Sequence, residues 1–188
     1  MTDLKAELHS KLETARAGLL STVDGLSEYD RRRPMTSTGT NLLGLIKHLA
    51  GLEYLYLGES FSRPAPETMN WVEDGSIWEG ADMWATAEES SDYLIGLYQR
   101  ACRHGDQTVE ALELDAPGRV PHWPEERRDT TLGVLLIRMV AETAQHAGHA
   151  DIIRELIDGR GGPDYDMTDE ETWRTYLARI QAAAEQYR

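Results

Sequence analysis

Apolar residues recur every three or four positions along most of the chain, which is the spacing of amphipathic helices. No segment alternates convincingly between apolar and polar residues, so no strand is predicted. The spacing predicts five helices: about Thr2 to Val23, about Asn41 to Ser60, about Ala81 to Leu112, about Thr131 to Asp158, and a last one from the capping box Thr168-Asp169-Glu170-Glu171 to near the C-terminus. The third helix could be broken near His104-Gly105, since glycine weakens a helix interior.

Two long connections, Phe61 to Gly80 and Asp115 to Arg128, contain prolines and tryptophans. Their tryptophans indicate packed loops that close the ends of a core, or alternatively cover a pocket. A chain of 188 residues suits one domain, predicted here as residues 1–188. The predicted fold class is all-α, a four-helix bundle with an extra C-terminal helix, and the long connections leave room for crossovers.

The charge balance and the single cysteine narrow the possible partners and the compartment. With 33 acidic against 19 basic side chains the net charge is −14, which argues against nucleic-acid binding. No apolar run approaches the roughly 20 residues that cross a bilayer, so no membrane partner is expected. The N-terminus does not resemble a secretory signal, and Cys102 alone cannot form an internal disulfide. We therefore expect a cytoplasmic protein.

Three ionisable residues interrupt the apolar face of the fourth predicted helix. Glu142, His146 and His149 occupy consecutive positions at alternating three- and four-residue steps, and the other members of this predicted core-facing line are apolar: Leu132, Leu135, Met139, Ile153 and Leu156. A carboxylate buried without a partner would cost several kcal/mol. Something must therefore neutralise Glu142, and Arg138, one turn earlier, is one candidate.

His48, on the apolar face of the second predicted helix, is the other candidate partner. Two imidazoles and one carboxylate are suitable ligands for zinc or another first-row divalent ion, so His48, Glu142 and His146 form a predicted metal site with open coordination positions. Alternatively, His48 is an ordinary core histidine, and Glu142 pairs with His146 or Arg138. His149 is predicted to support a ligand or move a proton near the metal, or to be a plain buried histidine.

The segments Leu43-Gly44-Leu45-Ile46-Lys47-His48-Leu49 and 142–155 resemble the DinB-like superfamily, which includes mycothiol-dependent maleylpyruvate isomerases and related thiol transferases. The resemblance covers nearly the whole chain and implies a bundle with crossed connectivity. It also implies that His48, Glu142 and His146 hold the metal. Many members have histidine where this chain has Glu142, whereas the isomerases have glutamate. Those isomerases carry a further C-terminal domain, where this chain has one predicted helix, so that particular activity is not expected.

The resemblance implies a metal-dependent thiol S-transferase that adds mycothiol or a similar low-molecular-weight thiol to a small electrophile. Zinc is the expected ion, with nickel, iron and manganese as alternatives. His149 is then the candidate catalytic residue, as acceptor of the thiol proton. A homodimer is a further implication. Two other hypotheses remain open: a non-catalytic metal-binding or stress-response bundle, and a metal-dependent hydrolase.

Overall fold

The computed structural model describes residues 3–160 and 169–188, and these residues are predominantly helical. The helices are α1 (Leu4–Ser21), α2 (Glu28–Arg32), α3 (Leu42–Tyr56), α4 (Asn70–Glu73), α5 (Ser91–Ala111), α6 (Leu132–Asp158) and α7 (Glu170–Ala184). A two-stranded antiparallel sheet joins β1 (Pro117–Arg119) to β2 (Asp129–Thr131). The prediction of an all-α fold is confirmed, although this small hairpin within the second long connection was not predicted.

The four long helices α1, α3, α5 and α6 form the bundle. Helix α3 packs against α5 and α6, and α1 packs against α6 and, less extensively, α5. The order around the bundle is therefore α1, α6, α3, α5, and the first two long helices of the chain lie diagonally opposite each other. This is the crossed connectivity that the resemblance implied.

The third predicted helix differs from α5 in two respects. It begins at Ser91 instead of Ala81, because the Ser90 side chain caps it by accepting a hydrogen bond from the Tyr93 amide. It also continues without a break through His104-Gly105. Gly105 lies against the side chains of Glu53 and Leu57, so the missing side chain permits close packing of α5 on α3.

The last helix, α7, begins one residue later than the capping box predicted. Its cap is Asp169, which accepts a hydrogen bond from the Thr172 amide, while Thr168 lies outside the described residues. No residue of α7 is buried. In the part of the chain that the structure describes, none of the helices has the combination of length and apolar character needed to cross a membrane.

A buried ion pair connects the diagonal helices through the centre of the bundle. The guanidinium of Arg16 on α1 donates to both carboxylate oxygens of Glu53 on α3, each at 2.7 Å. It also donates to Asp106 on α5 at 2.6 Å. The Cys102 thiol lies half-buried 4.0 Å from Glu53, and burial together with that carboxylate raises its pKa. Cys102 is therefore a protonated packing residue, not a nucleophile.

Gly44, in the first turn of α3, fixes the distance between this helix and the segment that precedes α5. A Cβ at Gly44 would collide with the backbone carbonyl of Met83, which also accepts a hydrogen bond from the Asn41 side chain at 3.1 Å. We expect Gly44→Ala to destabilise the protein by about 1–3 kcal/mol, because a backbone group must move. Urea unfolding measures this cost.

Gly51 supplies the matched control within the same helix. A Cβ added there meets no atom within 4 Å, so Gly51→Ala should leave stability unchanged or raise it by up to about 1 kcal/mol. Equal losses of stability in the two variants would contradict a specific role for Gly44.

Candidate metal centre

Helices α3 and α6 bring His48, Glu142 and His146 together. Asn41 caps α3 by accepting a hydrogen bond from the Gly44 amide at 2.8 Å, and His48 lies one to two turns further along the face that packs toward α6. Glu142 and His146 lie one turn apart on α6. Their ligand atoms and one of His48 all lie within 4.8 Å of one another.

The separations between these atoms suit coordination of one cation better than direct hydrogen bonding. Glu142 Oε1 lies 3.4 Å from His146 Nε2 and 3.8 Å from His48 Nε2. The usual limit for such a hydrogen bond is about 3.2 Å. Two ligand atoms at about 2.1 Å from a tetrahedral ion lie about 3.4 Å apart, so only small shifts would let all three reach one ion. The residues present therefore fit a divalent metal ion.

Asp82 fixes the orientation of His48, and sequence reasoning missed it. Its carboxylate Oδ2 lies 2.7 Å from His48 Nδ1, and the residue is only 7% exposed. A carboxylate accepts this bond, so the proton of a neutral His48 lies on Nδ1 and the lone pair of Nε2 faces the cluster. Asp82 lies in a short 3-10 turn over residues 81–83, where a helix was predicted, and no sequence signal connects it to His48.

His146 has a different environment, which leaves it without a protein partner that fixes its tautomer. Its Nδ1 atom is buried and has no hydrogen-bond partner among the described residues. Burial, then the neighbouring His48 ring, lowers the pKa of His146 below its ordinary value. The imidazole is therefore neutral at pH 7, which is the form that binds a metal ion.

At the C-terminal end of α6 the predicted core-facing line is wrong at two of its last three positions, His149 and Leu156, and correct at Ile153. His149 is exposed and Leu156 is 64% exposed, whereas the buried positions there are Ala147, Ala150, Ile153 and Arg154. An ordinary helix repeats every 3.6 residues, so a strict 3.5-residue repeat rotates away from the core over several turns. Glu142 and His146 consequently lie half-buried at the edge of the buried face.

The surroundings of these residues contradict two of the alternatives, Arg138 as the partner of Glu142 and His149 as a plain buried histidine. The guanidinium of Arg138 lies over the rings of Tyr56 and Trp123, at 4.8 and 5.4 Å, and forms no ion pair with Glu142 in the described structure. Arg138 as the partner of Glu142 was therefore a wrong alternative. The ring of His149 lies 5.5 Å from that of His146, close to the cluster and open to solvent.

A cavity of about 700 Å³ opens beside the cluster. His48 and Asp82 belong to its wall, and most of the other lining residues come from α3 and from the connection that follows it. Trp78 lines this cavity, whereas Trp71 is buried in the core. The tryptophans of the first long connection thus serve both of the roles that the sequence suggested.

Asp82→Asn tests the role of the His48 partner. An amide can still occupy the space, but it lacks the charge that favours the Nδ1-protonated tautomer, and we expect metal affinity to fall about 10–100-fold. Competition with a chromogenic chelator measures the affinity. Asp74, an exposed carboxylate on the same connection, provides the control: Asp74→Asn should leave affinity unchanged. Equal affinity of Asp82→Asn and the unchanged protein would contradict this role.

The crossed bundle, with two histidines and a glutamate facing one another between its second and fourth long helices, defines a DinB-like protein. The family model described as mycothiol-S-transferase matches residues 7–159, and the chain belongs to this family. A crystal structure titled as a conserved protein of locus from Enterococcus faecalis has the same fold, with a TM-score of 0.62 at 14% sequence identity. The alignment covers 85% of this chain and 100% of that one. A comparison with curated proteins found no match.

Proposed function

We propose that this protein is a metal-dependent S-transferase that joins a low-molecular-weight thiol, of which mycothiol is the first candidate, to a small electrophile. The observation that carries the proposal is the cluster of His48, Glu142 and His146, whose ligand atoms lie within 4.8 Å of one another. Membership of the mycothiol-S-transferase family supports the choice of reaction. The adjoining cavity supplies space for a small-molecule substrate.

His48, Glu142 and His146 would hold the ion, with zinc as the first choice and nickel, iron and manganese as alternatives. A divalent ion with open positions supplies a lowered thiol pKa, so that the nucleophilic thiolate predominates at neutral pH. Three protein ligands leave such positions free, whereas a purely structural zinc site is closed by four. This difference favours catalysis over a bundle in which the ion only braces two helices.

The remaining polar residues have roles that follow from their positions. Asp82 keeps the Nε2 lone pair of His48 directed at the cluster, through its 2.7 Å contact with Nδ1. His149 would accept the thiol proton and release it to solvent, and its exposed ring 5.5 Å from that of His146 supports this role.

A conjugation assay tests the proposal directly. Purified protein loaded with zinc, nickel, iron(II) or manganese is incubated with mycothiol and a panel of electrophiles, and loss of free thiol is compared with chelator-treated protein. We expect turnover that depends on both metal and thiol. Inactivity of every metal-loaded combination would refute the proposal. Turnover of esters or amides in thiol-free buffer would instead support hydrolysis.

A further inference from the structure

The cavity beside the cluster is lined by acidic side chains without basic ones. Its acidic and histidine lining residues are four carboxylates and two imidazoles: Glu59, Glu67, Glu73, Asp82, His48 and His122. No lysine or arginine is among the residues described as lining it. The rest of the wall is largely apolar and consists mainly of aliphatic and proline side chains together with Trp78.

Two of the four carboxylates already have partners. Glu67 accepts two hydrogen bonds from the Arg100 guanidinium, each at 2.8 Å, and one from the Tyr54 hydroxyl at 2.7 Å. The arginine bonds lower the pKa of Glu67, so it is ionised and neutralised by its partner. Asp82 is paired with His48.

Glu59 and Glu73 retain uncompensated charge. Both are exposed, and neither forms an ion pair with another described residue. The nearby His122 does not compensate them, because burial and then the charge of Arg138 lower its pKa and leave the ring neutral at pH 7. The residues that line the cavity therefore carry more negative than positive charge.

Trp78 also favours a positively charged ligand over a negatively charged one. Its indole lines the cavity and is 75% exposed, so its face is available to a ligand. Aromatic faces attract cations and not anions. The apolar wall, the indole and the two free carboxylates together suit an apolar molecule with a neutral or positive polar end.

We propose that the electrophile accepted by this cavity is an apolar, aromatic-sized molecule without a negative charge, and that a positive charge on it strengthens binding. This inference rests on the proposed function only in taking the ligand of the cavity to be the electrophile. The charge preference of the cavity is a separate property and can be measured without turnover. Carboxylate-bearing electrophiles, including dicarboxylates, are thereby predicted to be poor substrates.

Binding of three size-matched probes tests the preference: phenyltrimethylammonium, benzyl alcohol and benzenesulfonate, measured by ligand-observed NMR on metal-loaded protein. Sulfonate is chosen because it coordinates metal ions weakly. We expect the cation to bind about tenfold more tightly than the sulfonate, with the alcohol in between, and the difference to shrink in about 0.5 M salt. Equal or tighter binding of the sulfonate, or no binding of any probe, would overturn the inference.

Charge-neutral variants assign the effect to the cavity. Glu59→Gln with Glu73→Gln should reduce the ratio of cation to sulfonate affinity at least about fivefold, whereas Glu13→Gln, an exposed carboxylate on α1, should leave the ratio unchanged. A ratio that responds equally to Glu13→Gln would refute selection by the cavity. If the probes bind in the expected order but the protein has no S-transferase turnover, only the proposed function is refuted. If the protein has turnover but the probes do not bind in that order, only this inference is refuted.

Discussion

Replacing His146 with alanine is expected to abolish stoichiometric metal binding and, with it, thiol transfer. His146 Nε2 lies 3.4 Å from Glu142 Oε1, at the separation of two ligands of one ion, so the variant removes one of three ligand atoms. The loss of metal affinity should exceed the roughly 10–100-fold expected for Asp82→Asn, which removes only a hydrogen-bond partner of the ligand His48. Elemental analysis of protein purified without a histidine tag measures the metal content.

The fold should survive this substitution in the metal-free protein. The Nδ1 atom of His146 is buried and has no partner in residues 3–160 and 169–188, which itself costs about 1–3 kcal/mol, so losing the ring removes a penalty along with its packing. The free energies of unfolding of metal-free His146→Ala and the metal-free unchanged protein should therefore differ by no more than about 1–2 kcal/mol. A variant that retains one equivalent of metal would refute the assignment of His146 as a ligand.

His149→Ala is the matched comparison on the same helix. The side chain is exposed and its ring lies 5.5 Å from that of His146, beside the cluster and not within it. We expect the variant to keep its metal but to lose about 100-fold or more in the rate of thiol transfer at neutral pH. The loss should shrink as the pH rises and the thiol ionises without help. Loss of metal from His149→Ala would instead make this residue a ligand.

The sequence predicted the three clustered residues because each interrupts a series of apolar positions with helical spacing. His48, Glu142 and His146 interrupt apolar faces, and a bundle must bring such faces together, so the convergence of α3 and α6 follows from pattern and connectivity. The exposure of His149 could not be predicted in this way. A 3.5-residue repeat extended over four turns drifts around a helix that has 3.6 residues per turn, so positions such as His149 no longer face the core.

Asp82 could not be predicted for a different reason. Its position depends on a tertiary contact, the close approach of the Met83 carbonyl to Gly44, and neither residue has a local pattern that signals it. The same holds for Glu53, which lies among apolar residues of α3 and pairs with Arg16 from a helix 37 positions away in the chain. Polar contacts between distant segments leave no periodic trace in either segment.

That buried pair leads to the prediction with the largest expected effect on stability. Glu53 is 0% exposed and accepts both bonds from Arg16, which is itself 5% exposed. Glu53→Gln keeps the shape of the side chain but removes its charge, leaving a buried guanidinium with Asp106 as its remaining acidic partner among the described residues. We expect a loss of about 3–5 kcal/mol in the free energy of unfolding, measured by urea denaturation.

A double replacement separates the cost of breaking the pair from the value of the pair. Arg16→Met with Glu53→Leu removes both charges and fills the space with apolar atoms, so most of the lost stability should return, because buried ion pairs and apolar pairs of similar volume are often nearly equivalent. Glu13→Gln, an exposed carboxylate on α1, should change stability by less than about 0.5 kcal/mol. If Glu53→Gln were as stable as this control, the ion pair would not hold α1 to α3. If the double variant were as unstable as Glu53→Gln, the loss would come from removing the ion pair itself and not from leaving one charge unpaired.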